Sequence, residues 1–297
     1  MKQDGEQSSA GKGKKSGIPP IPHTEIERLL AKSAPTIQRH AAIIHIEGDF
    51  IYSGVYAKSF GYEGILTAGH CASDFMAAKH IALSVSELIH QLWVEPNAFE
   101  HVPIAYDETE GYTSSGPDLS FVVIRDEHLL RTIKNQNLAF YDLDYHRARV
   151  NEVFAGDLAK FNWSVAGNPG ETIRVTKQFV NGQQLNFVET TATLVQGNLA
   201  GFELRGVFDY VTLLLGSGFE EFPSSYKGTS GGGVWYQRFV TKDGTTYDVE
   251  PILAGIACWQ GERTVKKGYK VRAIMGHGWV SIYGHVRKAL AEKRASE

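Results

Sequence analysis

The chain has 297 residues, 42% hydrophobic and 21% charged, with a formal net charge of −3 and a pI near 6.4. This suits a soluble globular protein with room for one large domain or two small ones. The charge balance gives no reason to expect nucleic acid or an anionic membrane as partner, and no run approaches the ~18 apolar residues of a membrane span.

Residues 1–23 are rich in Gly, Ser and Lys and end in Pro19-Pro20-Ile21-Pro22, so they read as a disordered polar tail without the hydrophobic core of a secretory signal. Cys71 and Cys258 are too few for a disulfide framework. A cytoplasmic protein with free thiols is expected. A short helix follows the tail. Thr24 with Glu27 fits a capping box, Ile26, Leu29 and Leu30 mark one face, and Ala34-Pro35 is expected to end it.

From residue 41 the pattern turns to β. Ala42 to Ile46, Ser53 to Ala57, Gly64 to Thr67, Phe121 to Ile124, Trp163 to Ala166, Phe187 to Leu194, Tyr210 to Leu215, Gly233 to Phe239 and Ile252 to Trp259 are short apolar or alternating runs. Asp243-Gly244 predicts a hairpin between the last two. Trp279, Ile282, Tyr283, Val286 and Leu290 recur at three and four residues, predicting a terminal helix over about 278–294. Many short strands indicate an all-β sandwich or barrels.

Three segments carry the chemistry. Leu66-Thr67-Ala68-Gly69-His70-Cys71 offers a histidine, Pro117-Asp118-Leu119-Ser120-Phe121 an aspartate, and Gly228-Thr229-Ser230-Gly231-Gly232 a serine. A serine hydroxyl is a poor nucleophile at neutral pH. It needs a base within hydrogen-bond reach, and the base needs a third group to fix its tautomer. His70 is the candidate base, Asp118 the candidate orienting carboxylate and Ser230 the candidate nucleophile. Glycines around Ser230 let backbone N–H groups approach a developing oxyanion, with Gly228 and Ser230 as candidate donors.

These segments resemble, in the same order, the motifs of chymotrypsin-fold (trypsin-like) serine peptidases of the compact bacterial type. Gly69 replaces an alanine of the family pattern. Two further stretches resemble family motifs: Val165-Ala166-Gly167-Asn168-Pro169-Gly170, a turn early in the second barrel, and Gly255-Ile256-Ala257-Cys258-Trp259, the strand that lines the substrate channel. The resemblance implies an all-β fold of two six-stranded antiparallel barrels with the site between them. It places a peptidase domain over 24–297, with barrel one at about 40–140 and barrel two at about 150–276. It implies endopeptidase activity on a polypeptide substrate. It further implies that Ser224 lies at the base of the primary specificity pocket, that Gln260 and Gly268 line its wall, that Cys258 and Trp259 border the channel and that Lys227 sits near the rim.

The chain departs from the family in two ways. Thr229 stands where secreted trypsins carry an aspartate that pairs with a newly cut N-terminus, so activation by N-terminal cleavage is not expected. The loop is either competent as made or ordered by substrate or a regulatory partner. Cys71 lacks the partner for the family's neighbouring disulfide, and Cys258 replaces a serine near the aspartate; both read as small buried hydrophobes. His40, His45, His80, His90, His101, His146, His277 and His285 lack metal-ligand spacing and read as surface or packing residues; no Cys-x-x-Cys occurs. Neither metal nor cofactor is expected. Two alternatives are a trypsin-fold scaffold with an unused site and an α/β-hydrolase esterase. The second would need a helix directly after Ser230.

Overall fold

In the first half of the chain, β-branched and aromatic runs pair antiparallel into one sheet. The computed structural model describes residues 21–46, 50–84, 91–106, 117–155, 162–172, 174–180, 183–189, 192–216, 223, 225–241, 246–264 and 270–297. The strands are β1 (Ala41–Ile46), β2 (Phe50–Ser59), β3 (Tyr62–Thr67), β4 (Ile81–Ser84), β5 (Gln91–Val94), β6 (Phe99–Tyr106) and β7 (Asp118–Ile124), in the order β5-β4-β1-β2-β3-β7-β6. The short β8 (Tyr141–Asp142) adds in parallel to β2 at Ala57 and Lys58.

The two edge strands, β5 and β6, are consecutive in the chain, joined by Glu95 and the 3-10 turn Pro96–Ala98. A flat seven-stranded sheet would hold its edges roughly 29 Å apart. The link from Val94 to Phe99 spans at most about 18 Å. The sheet therefore curls until its ends approach. Sequence reading expected six strands here; the short β4 and β5 and the added β8 make eight. One face encloses Ile44, Tyr56, Ile65, Leu83, Phe99 and Val122. The alternate residues Val55, Leu66, Phe121 and Val123 join a second core shared with the rest of the molecule.

The second half closes as expected. β9 (Asn162–Gly167) is followed by a separate hairpin of β10 (Arg174–Val180) and β11 (Gln183–Glu189), then β12 (Thr193–Arg205), β13 (Phe208–Leu215), β14 (Gly233–Thr241), β15 (Tyr247–Thr264) and β16 (Lys270–Gly278). Six of them form a closed barrel in the order β12-β13-β16-β15-β14-β9, which leaves no free edge. Trp163, Val165, Val211, Val234 and Ile274 fill it, while Trp235 and Leu253 face outward toward Tyr141. The predicted Asp243-Gly244 turn lies outside the described residues, but β14 and β15 pair up to Thr241 and Tyr247 on either side of it. Ser230 is followed by β14 rather than a helix, which removes the α/β-hydrolase alternative.

Helix α1 (His23–Gln38) corrects two expectations. Pro22 occupies its N-cap and Thr24 lies inside the first turn, so no capping box forms. Pro35 sits within the helix instead of ending it. The missing N–H of Pro35 costs one hydrogen bond, and tertiary contacts offset it. Ile37 is fully buried, Gln38 Nε2 donates to the Ala192 carbonyl (3.0 Å), and Gln237 Nε2 donates to Ser33 Oγ (2.6 Å).

Three helices were not anticipated: α2 (Gly69–Ala77), α3 (Glu127–Asn135) and α4 (Leu143–Phe154). Asp126 caps α3 by accepting from His128 N and Leu129 N, and Asp142 caps α4 by accepting from Tyr145 N. The terminal helix forms as predicted, with a π-helical turn (Ser281–Val286) leading into α5 (Arg287–Ser296). Ile282, Tyr283, Val286 and Leu290 are buried. The carboxylate of Asp209 holds its start, accepting from Val280 N (3.0 Å), Ser281 N (2.7 Å) and Ser281 Oγ (2.6 Å). No described helix is long and apolar enough to cross a membrane.

Candidate active site

Extended backbone at Ala68 ends β3, and the chain turns at once into α2, whose second residue is His70. Asp118 opens β7, the strand paired with β3 through Thr67 and Ser120. Strand pairing therefore sets the aspartate beside the start of the helix. Asp118 Oδ2 lies 2.6 Å from His70 Nδ1, and Oδ1 accepts the backbone N–H of His70 at 2.7 Å. A carboxylate oxygen can only accept from Nδ1, so that nitrogen carries the proton and Nε2 keeps its lone pair. Gly69 gives the carboxylate room: a Cβ there would stand 2.8 Å from Asp118 Oδ1.

Ser230 lies in a tight loop before β14. Thr229 N and Oγ1 both donate to the Tyr226 carbonyl (3.1 and 2.6 Å), and Gly232 N donates to Thr229 O (2.8 Å). Gly231 N donates to Ala257 O (2.6 Å), and Ala257 N returns a bond to Gly232 O (2.8 Å), tying the loop to β15. Ser53 of β2 fastens the loop from the other side. Its N–H donates to Ser230 O (3.0 Å), while its hydroxyl donates to Gly228 O (2.7 Å) and accepts from Asn168 N (2.9 Å). The neighbouring Tyr52 meets the His70 ring edge-on, centroids 6.3 Å apart. Successive residues of β2 thus touch the histidine and the serine loop.

Among the described residues, neither Gly228 N nor Ser230 N donates to a protein acceptor. Gly228 holds φ +93° and Gly231 φ +85°, conformations that glycine adopts readily. The Asn168-Pro169-Gly170 turn packs under the loop, with Gly170 N donating to Lys227 O (2.7 Å).

The two cysteines pack with Ala68 and Tyr52 in a small cluster of their own. A β-bulge falls between Ala257 and Trp259: Ala257 pairs with Gly276 and Trp259 with Met275, so Cys258 is the extra residue, and it is buried. Cys71 Sγ lies 3.3 Å from His70 Nε2. Burial pushes both thiols up, with the Asp118 charge adding to it, so they remain neutral and are not nucleophiles.

Ser224 and Gly268 lie outside the described residues. Lys227 is exposed, as a rim residue would be. Trp259 is 38% exposed, its indole lying across Gly261, where a Cβ would come 2.0 Å from the ring. Gln260 Oε1 accepts the backbone N–H of Tyr226 (3.0 Å), so it braces the serine loop.

Sequence reading placed His277 among packing residues. It is fully buried, and its Nε2 accepts the backbone N–H of Asp118 at 2.9 Å. A lone histidine within a strand gives no sequence signal for such a contact. Burial pulls the pKa of His277 down to about 4 against the opposing pull of Asp118, and burial does the same to His45, whose Nε2 lies 2.8 Å from Ser84 Oγ. The unfolded chain protonates these imidazoles near pH ~6.5, whereas the folded protein resists until near pH 4. The unfolded state therefore binds more protons across that window, and stability falls as pH drops through it, by on the order of 2 kcal/mol per histidine. Urea midpoints measured from neutral to acid pH should show this, with a shallower decline in His45→Gln.

A closed six-stranded barrel beside a curled antiparallel sheet, with a histidine–aspartate pair on one and a glycine-flanked serine on the other, is a chymotrypsin-like fold. No protein-family model matches the chain, and no curated protein matches it in sequence. Among solved structures it is similar to the HtrA-type protease AlgW, solved with a tripeptide (16% identity, TM-score 0.38, 82% of this chain), and spans 58% of that chain's length. It is also similar to the thermostable serine protease AL20 from an extremophilic microorganism (14%, TM-score 0.44, 85% of this chain and 97% of that one). A third is the protease Anisep from Arthrobacter nicotinovorans (12%, TM-score 0.41, 86% and 97%). The fold assignment itself rests on strand order and pairing.

Proposed function

We propose that the chain is a serine endopeptidase acting on polypeptides, with Ser230 as nucleophile, His70 as general base and Asp118 as orienting carboxylate. The observation that carries this reading is the double grip of Asp118 on His70, at Nδ1 and at the backbone N–H. It fixes the ring and the tautomer that leaves Nε2 basic. In the reaction, Ser230 Oγ bonds to the scissile carbonyl carbon while its proton passes to Nε2. Asp118 stabilises the imidazolium. The oxyanion takes the free N–H groups of Gly228 and Ser230. Collapse breaks the C–N bond, and Nε2 returns the proton to the departing amine. Water then adds to the acyl-enzyme by the same route and releases Ser230. The hydrogen bonds that tie the loop to Ser53, Ala257 and the Tyr226 carbonyl support a site that is competent as made.

A fluorophosphonate probe tests the reading. The folded protein should be labelled at one residue, with fluoride leaving as the Ser230 Oγ–P bond forms, and Ser230→Ala should take up no label. A folded protein that resists the probe, or a Ser230→Ala variant that still labels, overturns the assignment. Labelling that requires an added cellular fraction would instead favour gating by a partner.

A further inference from the structure

We propose that His277 is a positioning residue for Asp118, a neutral imidazole on the second barrel that aims the carboxylate of the first. This rests on the proposed peptidase reading and extends it. The Asp118 backbone N–H is a donor only, so Nε2 of His277 must be its lone-pair nitrogen, and the proton of this imidazole sits on Nδ1. The ring is wedged between Tyr210, at 4.7 Å, and Phe208, at 5.7 Å, centroid to centroid. Its backbone is paired on both sides, with Tyr210 of β13 and Ile256 of β15. The imidazole is therefore held by a rigid barrel wall.

The bond it accepts crosses between the two barrels. Asp118 is the first residue of β7 and pairs with Tyr106 of β6, while β3 pairs with β7 only from Ser120 onward, so among the described residues strand pairing holds it from one side only. Fixing its N–H fixes the backbone torsion that directs its carboxylate toward His70. Nδ1 of His277 has no partner among the described residues, although it is buried. A buried N–H left unsatisfied costs free energy, and a packing residue alone would gain nothing from it. That cost is consistent with a ring orientation dictated by Nε2. Among the described residues, the charged or titratable groups near it are Asp118, the Cys258 thiol at its backbone and, farther off, His285, with Tyr210 tilted against the ring. A cation at His277 would compete with His70 for Asp118, so burial that keeps the ring neutral protects the pair.

The experiment compares His277→Met, of similar volume without an acceptor, with His277→Gln, whose Oε1 can reach the place of Nε2. The rate of fluorophosphonate labelling should fall about 10- to 100-fold in His277→Met, the scale of a small misplacement of a catalytic group. In His277→Gln it should recover to within roughly threefold of the parent. The far-downfield proton resonance of the His70 Nδ1–Asp118 bridge should weaken or move in the first variant and persist in the second. Nitrogen NMR of the unmodified protein should show His277 protonated at Nδ1 and bare at Nε2. A folded His277→Met that labels at the parent rate, or a proton found on Nε2, overturns the inference. Failure of the parent protein to label at all instead condemns the peptidase reading, while the tautomer measurement still decides the His277 contact.

Discussion

Replacing Asp118 by asparagine is expected to lower kcat by on the order of 10⁴ with little change in KM. Both contacts that Asp118 makes with His70 are acceptances: Oδ2 from Nδ1–H and Oδ1 from the backbone N–H. An amide offers one acceptor and one donor. If its oxygen keeps the backbone N–H, its NH₂ faces Nδ1 and forces that nitrogen to become the acceptor. The ring proton then moves to Nε2, and the lone pair that should receive the Ser230 proton is gone. If the amide flips, the backbone N–H is orphaned against an NH₂ group. The flipped amide would still hold Nδ1–H but only by opposing two donors at the backbone, so the first orientation prevails and the base is lost while the shape is kept. The melting temperature should change little, because Asp118 is partly exposed and its backbone bond to His277 survives. Labelling rate and kcat, measured beside a melting curve, check this. Activity within tenfold of the parent would mean that Asp118 does not orient the base.

Where catalysis and local backbone demand coincide, the sequence was readable. Gly228-Thr229-Ser230-Gly231-Gly232 needs glycine for two positive φ angles and for close backbone packing, so its composition reports its shape. The β-branched runs reported β1, β3, β13 and β14, and the stripe from Ile282 to Leu290 reported the final helix. What escaped was set by long-range contacts. Pro35 looks like a terminator locally, yet burial of Ile37 and the Gln38 bond to Ala192 carry α1 past it. Helix α2 begins at Ala68 without a side-chain cap and left no signature. Helices α3 and α4 were legible in retrospect: Asp126 and Asp142 are capping residues, and Leu129 with Ile133 and Val150 with Val153 and Phe154 mark their buried faces. The strand-dominated pattern around them masked the change of period. The bond from His277 to Asp118 joins residues that only the meeting of two barrels brings together.

The glycine after the candidate nucleophile yields the sharpest structural expectation. In Gly231→Ala the new Cβ would come 2.0 Å from the Ser53 carbonyl oxygen and 2.0 Å from Thr67 Oγ1, and 3.0 Å from the Ser53 carbonyl carbon. Two of these neighbours are backbone and cannot rotate away. The third, Thr67 Oγ1, is itself held by donating to Ser53 O at 2.8 Å. The residue also holds φ +85°, where an alanine is strained whatever the space. The backbone must retreat, and the bond from Gly231 N to Ala257 O is the first to stretch. Overpacking and strain together should cost about 3–5 kcal/mol, at the upper end of single substitutions. Gly206→Ala is the control. It has φ +59° and nothing within 4 Å of its added Cβ, so it carries backbone strain without overpacking and should cost only about 1 kcal/mol. Urea unfolding separates the two. Because Gly231 adjoins Ser230, whatever folded Gly231→Ala remains should also label slowly, whereas Gly206→Ala should label at the parent rate. Equal stabilities for the two variants would show that the serine loop is not wedged between β2 and β3 as drawn, and the approach of the two barrels at this site would have to be reconsidered.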